Sequence, residues 1–147
     1  MGELMIPSSA TVCADTSVLI YSVEEKPDYW SLLQPLWLKF QAGEIEIVCS
    51  ELALMETLVV PLRKYDSVLI DAYEQLLLSA GIRLIPITQS VLREAARLRA
   101  TTNLKTPDAI HAATALATGC TMFLTNDRGF RGVPGLPAVI LSEVLAS

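Results

Sequence analysis

Four carboxylates, Asp15, Glu56, Asp108 and Asp127, lie far apart in this chain, each at a strand end, at a helix start or on an otherwise apolar helix. Acids gathered in one place repel one another, whereas a hard divalent cation with oxygen ligands turns the same group into a stable site. Oxygen ligation without Cys or His fits Mg2+ or Mn2+ better than zinc or copper. Such an ion binds a phosphate oxygen, lowers the pKa of a bound water and stabilises a leaving oxygen, so the matching reaction is phosphodiester hydrolysis.

Taken singly, three of the four have ordinary explanations. Asp15 opens a helical segment and reads as an N-cap, Asp108 follows Thr106-Pro107 in a first helical turn, and Asp127 stands in a turn before Arg128-Gly129. Glu56 is harder to dismiss, because its helical neighbours Leu52, Met55, Val59 and Val60 are all apolar. Leu52, Met55, Val59 and Leu62 read as the core stripe of that helix, with Glu56 at its margin facing a cavity. A half-buried carboxylate needs a basic partner, a proton or a cation.

Other polar residues surround the acids. Thr16, Ser17, Thr125 and Asn126 flank them and can hydrogen-bond carboxylates or bound waters. His111, the only histidine, lies one helical turn after Asp108 and reads first as a packed helix residue. Arg93 and Arg97, an i, i+4 pair, and Arg128 beside Asp127 could meet phosphates, although each also reads as surface charge. Trp30 and Trp37 share a helical face and read as packing residues.

These side chains need a frame to bring them together. Apolar strand-like runs at Thr11 to Ala14, Ile45 to Cys49, Ile82 to Ile87, Cys120 to Leu124 and Ala138 to Leu141 alternate with helical segments. The helices are expected at Ser17 to Val23, Tyr29 to Ala42, Glu51 to Lys64, Ser67 to Ser79, Gln89 to Thr101 and Pro107 to Thr118, with Thr106 as the N-cap of the last. Short strands without a polar face imply helices on both sides of a mostly parallel sheet, hence a three-layer α/β/α fold. Gly43, Gly81 and Gly119 follow helical segments where a left-handed cap is favoured. Open parallel sheets bind ligands beyond the carboxyl ends of their strands, where Asp15 and Asp127 fall.

At 147 residues with 52% hydrophobic content, one domain with a substantial core is expected over residues 1–147, with residues 1–10 as a loose tail. No apolar run is long enough for a membrane span and no leader pattern opens the chain, which points to the cytoplasm and to no membrane partner. Cys13, Cys49 and Cys120 lie in or beside strand-like runs, as small buried residues of a reducing compartment do. They lack zinc spacing, and a serine triad would have to be built on His111 alone. The net charge of −5 argues at first against a nucleic-acid partner. The basic residues, however, cluster in the second half: Arg83, Arg93, Arg97, Arg99, Lys105, Arg128 and Arg131 stand against only Glu94, Asp108 and Asp127. Such a face can track a phosphate backbone on an acidic protein.

The four acidic segments together resemble the PIN-domain family, and within it the small VapC-like ribonuclease toxins of type II toxin–antitoxin systems. The similarity rests on Asp15-Thr16-Ser17, on Ser50-Glu51-Leu52 leading to Glu56, on Thr106-Pro107-Asp108-Ala109-Ile110-His111-Ala112-Ala113-Thr114-Ala115, and on Thr125-Asn126-Asp127 with Phe130. It spans about Thr11 to Leu141. The resemblance implies a parallel sheet of about five strands and Mg2+- or Mn2+-dependent endonucleolytic cleavage of RNA. It also implies homodimers and a small cognate antitoxin. Carried over by position, Asp15, Glu56, Asp108 and Asp127 are the catalytic, metal-binding acids, with Asp15 and Asp108 as direct ligands and Ser17 and Thr125 in support. The alternative is a non-catalytic PIN-like module that binds RNA or protein. A phosphoaspartyl enzyme of haloacid-dehalogenase type would want a second Asp at position 17, where Ser17 stands, and a receiver-type domain would want an acid pair at the first strand.

Overall fold

The computed structural model describes residues 2–147. Five strands, β1 (Thr11–Ala14), β2 (Glu46–Ser50), β3 (Arg83–Ile85), β4 (Met122–Thr125) and β5 (Ala138–Ile140), form one parallel sheet in the order β3-β2-β1-β4-β5. Between them run helices α1 (Thr16–Val23), α2 (Pro27–Gln41), α3 (Leu52–Arg63), α4 (Ser67–Ser79), α5 (Gln89–Thr101) and α6 (Thr106–Thr118). A 3-10 turn at Arg128–Gly132 and a terminal helix α7 (Leu141–Ala146) complete the fold.

The period-two geometry of the strands divides the core into two halves. Val12, Ala14, Ile47, Cys49, Met122 and Leu124 face one way, against residues such as Leu19, Leu33, Leu36 and Leu77. Cys13, Val48 and Phe123 face the other way, against Ala95 of α5 and Ala109, Ala112 and Ala113 of α6. Both faces are covered, which explains why the strands read as continuously apolar. On α6 every residue from Ala109 to Ala115 is buried, and the alanines let this helix sit tightly between the sheet and α5.

Several boundaries differ from the sequence expectation. Pro86 follows directly after β3, so the run expected through Ile87 is shorter. Thr106 is the first residue of α6 rather than its cap; Lys105 takes the cap position, and the Thr106 hydroxyl accepts from Arg99 at 2.9 Å. The left-handed caps fall as expected, with φ of 76° at Gly43, 96° at Gly81 and 61° at Gly119. Residues 2–10 have no regular structure, yet Leu4 is buried in the core and Ile6 packs against it, so this stretch is docked rather than loose, while Met1 lies outside the described residues.

The stripe expected on α3 is the clearest correction. Ala53, Thr57 and Pro61 face the core, while Met55, Val59, Val60 and Leu62 are exposed. Because α3 is apolar almost all round, periodicity could not select a face. Contact with α1, α4 and α6 selects the face with smaller side chains. Among the described residues no helix is long and apolar enough to cross a membrane.

Candidate metal centre

Beyond the carboxyl ends of β1 and β4, where the strand order reverses, lies an open cavity of about 590 Å³. Its wall includes Asp15, Glu56, Asp108, His111, Asp127 and Arg128. Four segments spread over more than a hundred residues thus meet in one crevice.

Asp15 is 7% exposed and is held on both oxygens. It caps α1, its Oδ1 accepting from Val18 N at 3.3 Å and from the Ser17 hydroxyl at 2.6 Å. Oδ2 accepts from the Thr125 hydroxyl at the end of β4. The same Thr125 oxygen accepts the Asp127 N–H at 3.0 Å, so one buried hydroxyl fixes both strand-end acids. Asp127 caps the 3-10 turn and accepts from Gly129 N at 2.8 Å. A Cβ at Gly129 would stand 3.1 Å from the Asp127 carboxylate, so a side chain there would require that carboxylate to shift by a few tenths of an ångström.

Glu56 reaches the cavity from α3 with 26% of its side chain exposed. Its Oε1 takes the Thr16 hydroxyl at 2.6 Å and lies 2.6 Å from His111 Nε2. An ionised carboxylate only accepts, so Nε2 carries the hydrogen. Thr16 Oγ1 is 3.2 Å from the same nitrogen, closing a three-membered cluster. His111 is 3% exposed. It is packed, as the sequence suggested, but it also binds a site acid, which sequence reasoning undervalued.

The electrostatics are those of crowded acids. Burial pushes Asp15 above the usual carboxylate range despite the opposing Ser17 and Thr125 hydrogen bonds. Asp108, half-buried in the first turn of α6, is also raised, first by burial and then by the charge of Asp127, with smaller contributions from Asp15 and Glu56. Glu56 is the exception: burial pushes it up, but hydrogen bonds from His111 and Thr16 and the His111 charge outweigh that, and it titrates below the usual range.

Among the described residues no three His, Cys, Asp or Glu side chains are gathered closely enough to hold a metal ion by themselves. The donor set fits a hard cation bound openly, because Mg2+ is typically held by one or two carboxylates with waters and substrate phosphates filling the other positions. Like-charge repulsion at Asp108 is what such a cation would relieve. Asp15 keeps an acceptor site on Oδ2, since Oδ1 already takes two donors and Oδ2 one.

Arg128 stands at the cavity with its side chain 71% exposed, its Nε 3.5 Å from Glu143. Arg93 and Arg97 do not join it. They line a separate hollow along α5 and the later turns of α6, where Arg97 pairs with Glu94. Sequence reasoning missed Tyr21 in the cavity wall; its position four residues after Ser17 on α1 was the available signal.

The PIN domain family model matches residues 12–136. No curated protein matches the chain. Among solved structures, a toxin–antitoxin complex from Klebsiella pneumoniae is 25% identical, covering 87% of this chain and 95% of that one with a TM-score of 0.64. VapBC2 from Rickettsia felis, bound to a promoter DNA fragment, is 18% identical over 88% of this chain and 98% of that one, with a TM-score of 0.70. VapC20 from Mycobacterium tuberculosis, described as a sarcin–ricin loop cleaving toxin, is 17% identical over 86% and 98%, with a TM-score of 0.66.

Proposed function

The chain belongs to the PIN domain family, and on that premise we propose that it is a metal-dependent endoribonuclease, the toxin of a toxin–antitoxin pair. One observation carries the reading: Asp15, Glu56, Asp108 and Asp127 line a single open cavity at the reversal point of the sheet.

In this reading Asp15 and Asp108 would hold Mg2+ or Mn2+ directly, with Asp127 and Glu56 completing the set. The cation, when bound, supplies neutralisation of phosphate charge and activation of water. Ser17 and Thr125 fix the Asp15 carboxylate, so its orientation costs nothing further on binding. With Oε1 engaged by Thr16 and His111, Glu56 keeps Oε2 to orient a water or take its proton. Arg128, exposed at the rim, offsets the acidic wall as a phosphodiester enters. The partners proposed are an RNA substrate, a small protein antitoxin and a second copy of the chain. The similar structures that are toxin–antitoxin complexes support the antitoxin, and the cytoplasm is the proposed location.

The test is cleavage of structured RNAs by purified protein with and without Mg2+ or Mn2+. Asp15→Asn and Asp108→Asn should each lower the rate by about a hundredfold or more. Parental rates in both variants would overturn the assignment, and RNA binding with no metal-dependent products would replace it with a binding module.

A further inference from the structure

The amide of Asn126 has a fixed orientation, because its Oδ1 accepts the Ser142 N–H at 2.8 Å. Its Nδ2 therefore faces two tyrosines, donating to Tyr29 Oη at 3.0 Å and to Tyr21 Oη at 3.2 Å. The two rings are stacked, 12° from parallel with centroids 4.7 Å apart. Both hydroxyls are thus held side by side on the Asn126 amide. Each phenol oxygen accepts one hydrogen bond and has its own O–H to give. Among the described residues no acceptor takes either hydrogen. Tyr21 lines the acidic cavity, and the Lys26 ammonium lies 5.8 Å from its ring centroid.

We propose that Tyr21 and Tyr29, oriented by Asn126, form a two-donor clamp that binds a non-bridging phosphate oxygen of an RNA strand at the mouth of the acidic cavity. The identity of the ligand rests on the nuclease reading above. Four carboxylates repel an incoming phosphodiester, and none of them, ionised, can donate a hydrogen bond. Neutral O–H donors can hold the phosphate without forming an ion pair with those acids, which a lysine or arginine in the same place would do. Lys26 and Arg128 add positive charge on the exposed side. The Tyr21 ring is already engaged by Tyr29 and Lys26, so its free edge is the hydroxyl, which selects a phosphate oxygen over a stacked base.

Tyr21→Phe and Tyr29→Phe remove only the hydroxyls and keep the ring stack. In an Asp108→Asn background, fluorescence anisotropy of a 5′-fluorescein single-stranded RNA of mixed sequence should show Kd raised about two- to tenfold by each substitution and more by both. In the otherwise native chain the double variant should raise KM for RNA while kcat changes by less than about twofold. An unchanged Kd and KM in the double variant would overturn the clamp, as would absence of RNA binding by the Asp108→Asn chain. Lack of metal-dependent cleavage by the native chain overturns the nuclease reading separately, and the Kd comparison still decides the clamp.

Discussion

Nε2 of His111 stands 2.6 Å from Oε1 of Glu56, joining the middle of α6 to the middle of α3 across 55 residues. Thr16 from α1 shares the same carboxylate oxygen. Three helices are therefore tied together by one acid at the wall of the cavity. His111→Ala should remove a buried hydrogen bond to a charged group and leave a void. The expected cost is about 2–4 kcal/mol, read as a fall in urea midpoint at constant m-value. The same variant should lower kcat about ten- to hundredfold with little change in RNA Kd, because it misplaces Glu56 without touching phosphate. His111→Gln, which can still donate, should recover part of kcat. Equal loss in both variants would show that the hydrogen bond is not what matters.

The Glu56 contact also sets a pH dependence. Burial raises its pKa, but the His111 and Thr16 hydrogen bonds prevail and hold it below the ordinary value of 4.5. The unfolded chain thus takes up the proton first. Stability from this contact is present in full above that ordinary value and is lost as pH falls through the lower folded value. Urea midpoints of the native chain and Glu56→Gln should differ most at pH 6–7 and converge as the solution is taken to about pH 3. A gap that widens on acidification would reverse the assignment.

Asp108 behaves in the opposite sense. Burial and the charge of Asp127 raise it, so the folded chain binds the proton more readily, and stability falls as pH rises from the ordinary carboxylate value through the raised one. At neutral pH the ionised group is a cost. Asp108→Asn should therefore raise Tm in EDTA by about 2 °C, a gain that disappears on acidification. Mg2+ should stabilise the native chain by about 2–3 kcal/mol at a hundred times its Kd, and the variant much less. A Mg2+ increment of equal size in both would remove Asp108 from the ligand set.

Much of this arrangement was legible in the sequence, for identifiable reasons. Strands such as Val12-Cys13-Ala14 and Met122-Phe123-Leu124 are buried on both faces, so their apolar runs announced a covered parallel sheet. Asp15 and Asp127 were readable because strand ends point at the crevice of such a sheet. The face of α3 was not readable, since the exposed Met55, Val59 and Leu62 are at least as apolar as the buried Ala53, Thr57 and Pro61. His111 reads as packing because a buried imidazole on an alanine-rich helix gives no local sign of its partner, which lies on another element. The Tyr21–Tyr29–Asn126 cluster depends on a contact across about a hundred residues, to which no spacing rule applies.

Away from the cavity, fully buried Tyr73 on α4 donates its hydroxyl to Glu24 after α1. Burial, followed by this carboxylate, raises the phenol well above its usual value of 10.0. The unfolded phenol ionises first, so this contribution to stability is present below the unfolded value and is lost as pH rises past it. Tyr73→Phe keeps the ring and should cost about 1–2 kcal/mol at pH 7, or a Tm lower by roughly 2–6 °C. The difference from the native chain should shrink above about pH 10. A pH-independent difference would mean that the hydroxyl contributes only through packing.

The arginines separate by place rather than by charge. Arg128 borders the acidic cavity and shares Glu143 with Arg131, whereas Arg93 and Arg97 line the hollow between α5 and α6. A phosphate contact releases condensed counterions, so its removal lowers the slope of log Kd against log salt by about 0.7 on single-stranded RNA. Arg128→Ala should therefore weaken RNA binding several-fold at 50 mM salt, reduce that slope by roughly one contact, and bring the curves together at high salt. Arg93→Ala with Arg97→Ala should leave both the slope and the cleavage rate unchanged, since the pair stands away from the acids. If the α5 double variant instead lost the slope and Arg128→Ala kept it, the RNA path would run along α5 and not across the mouth of the cavity.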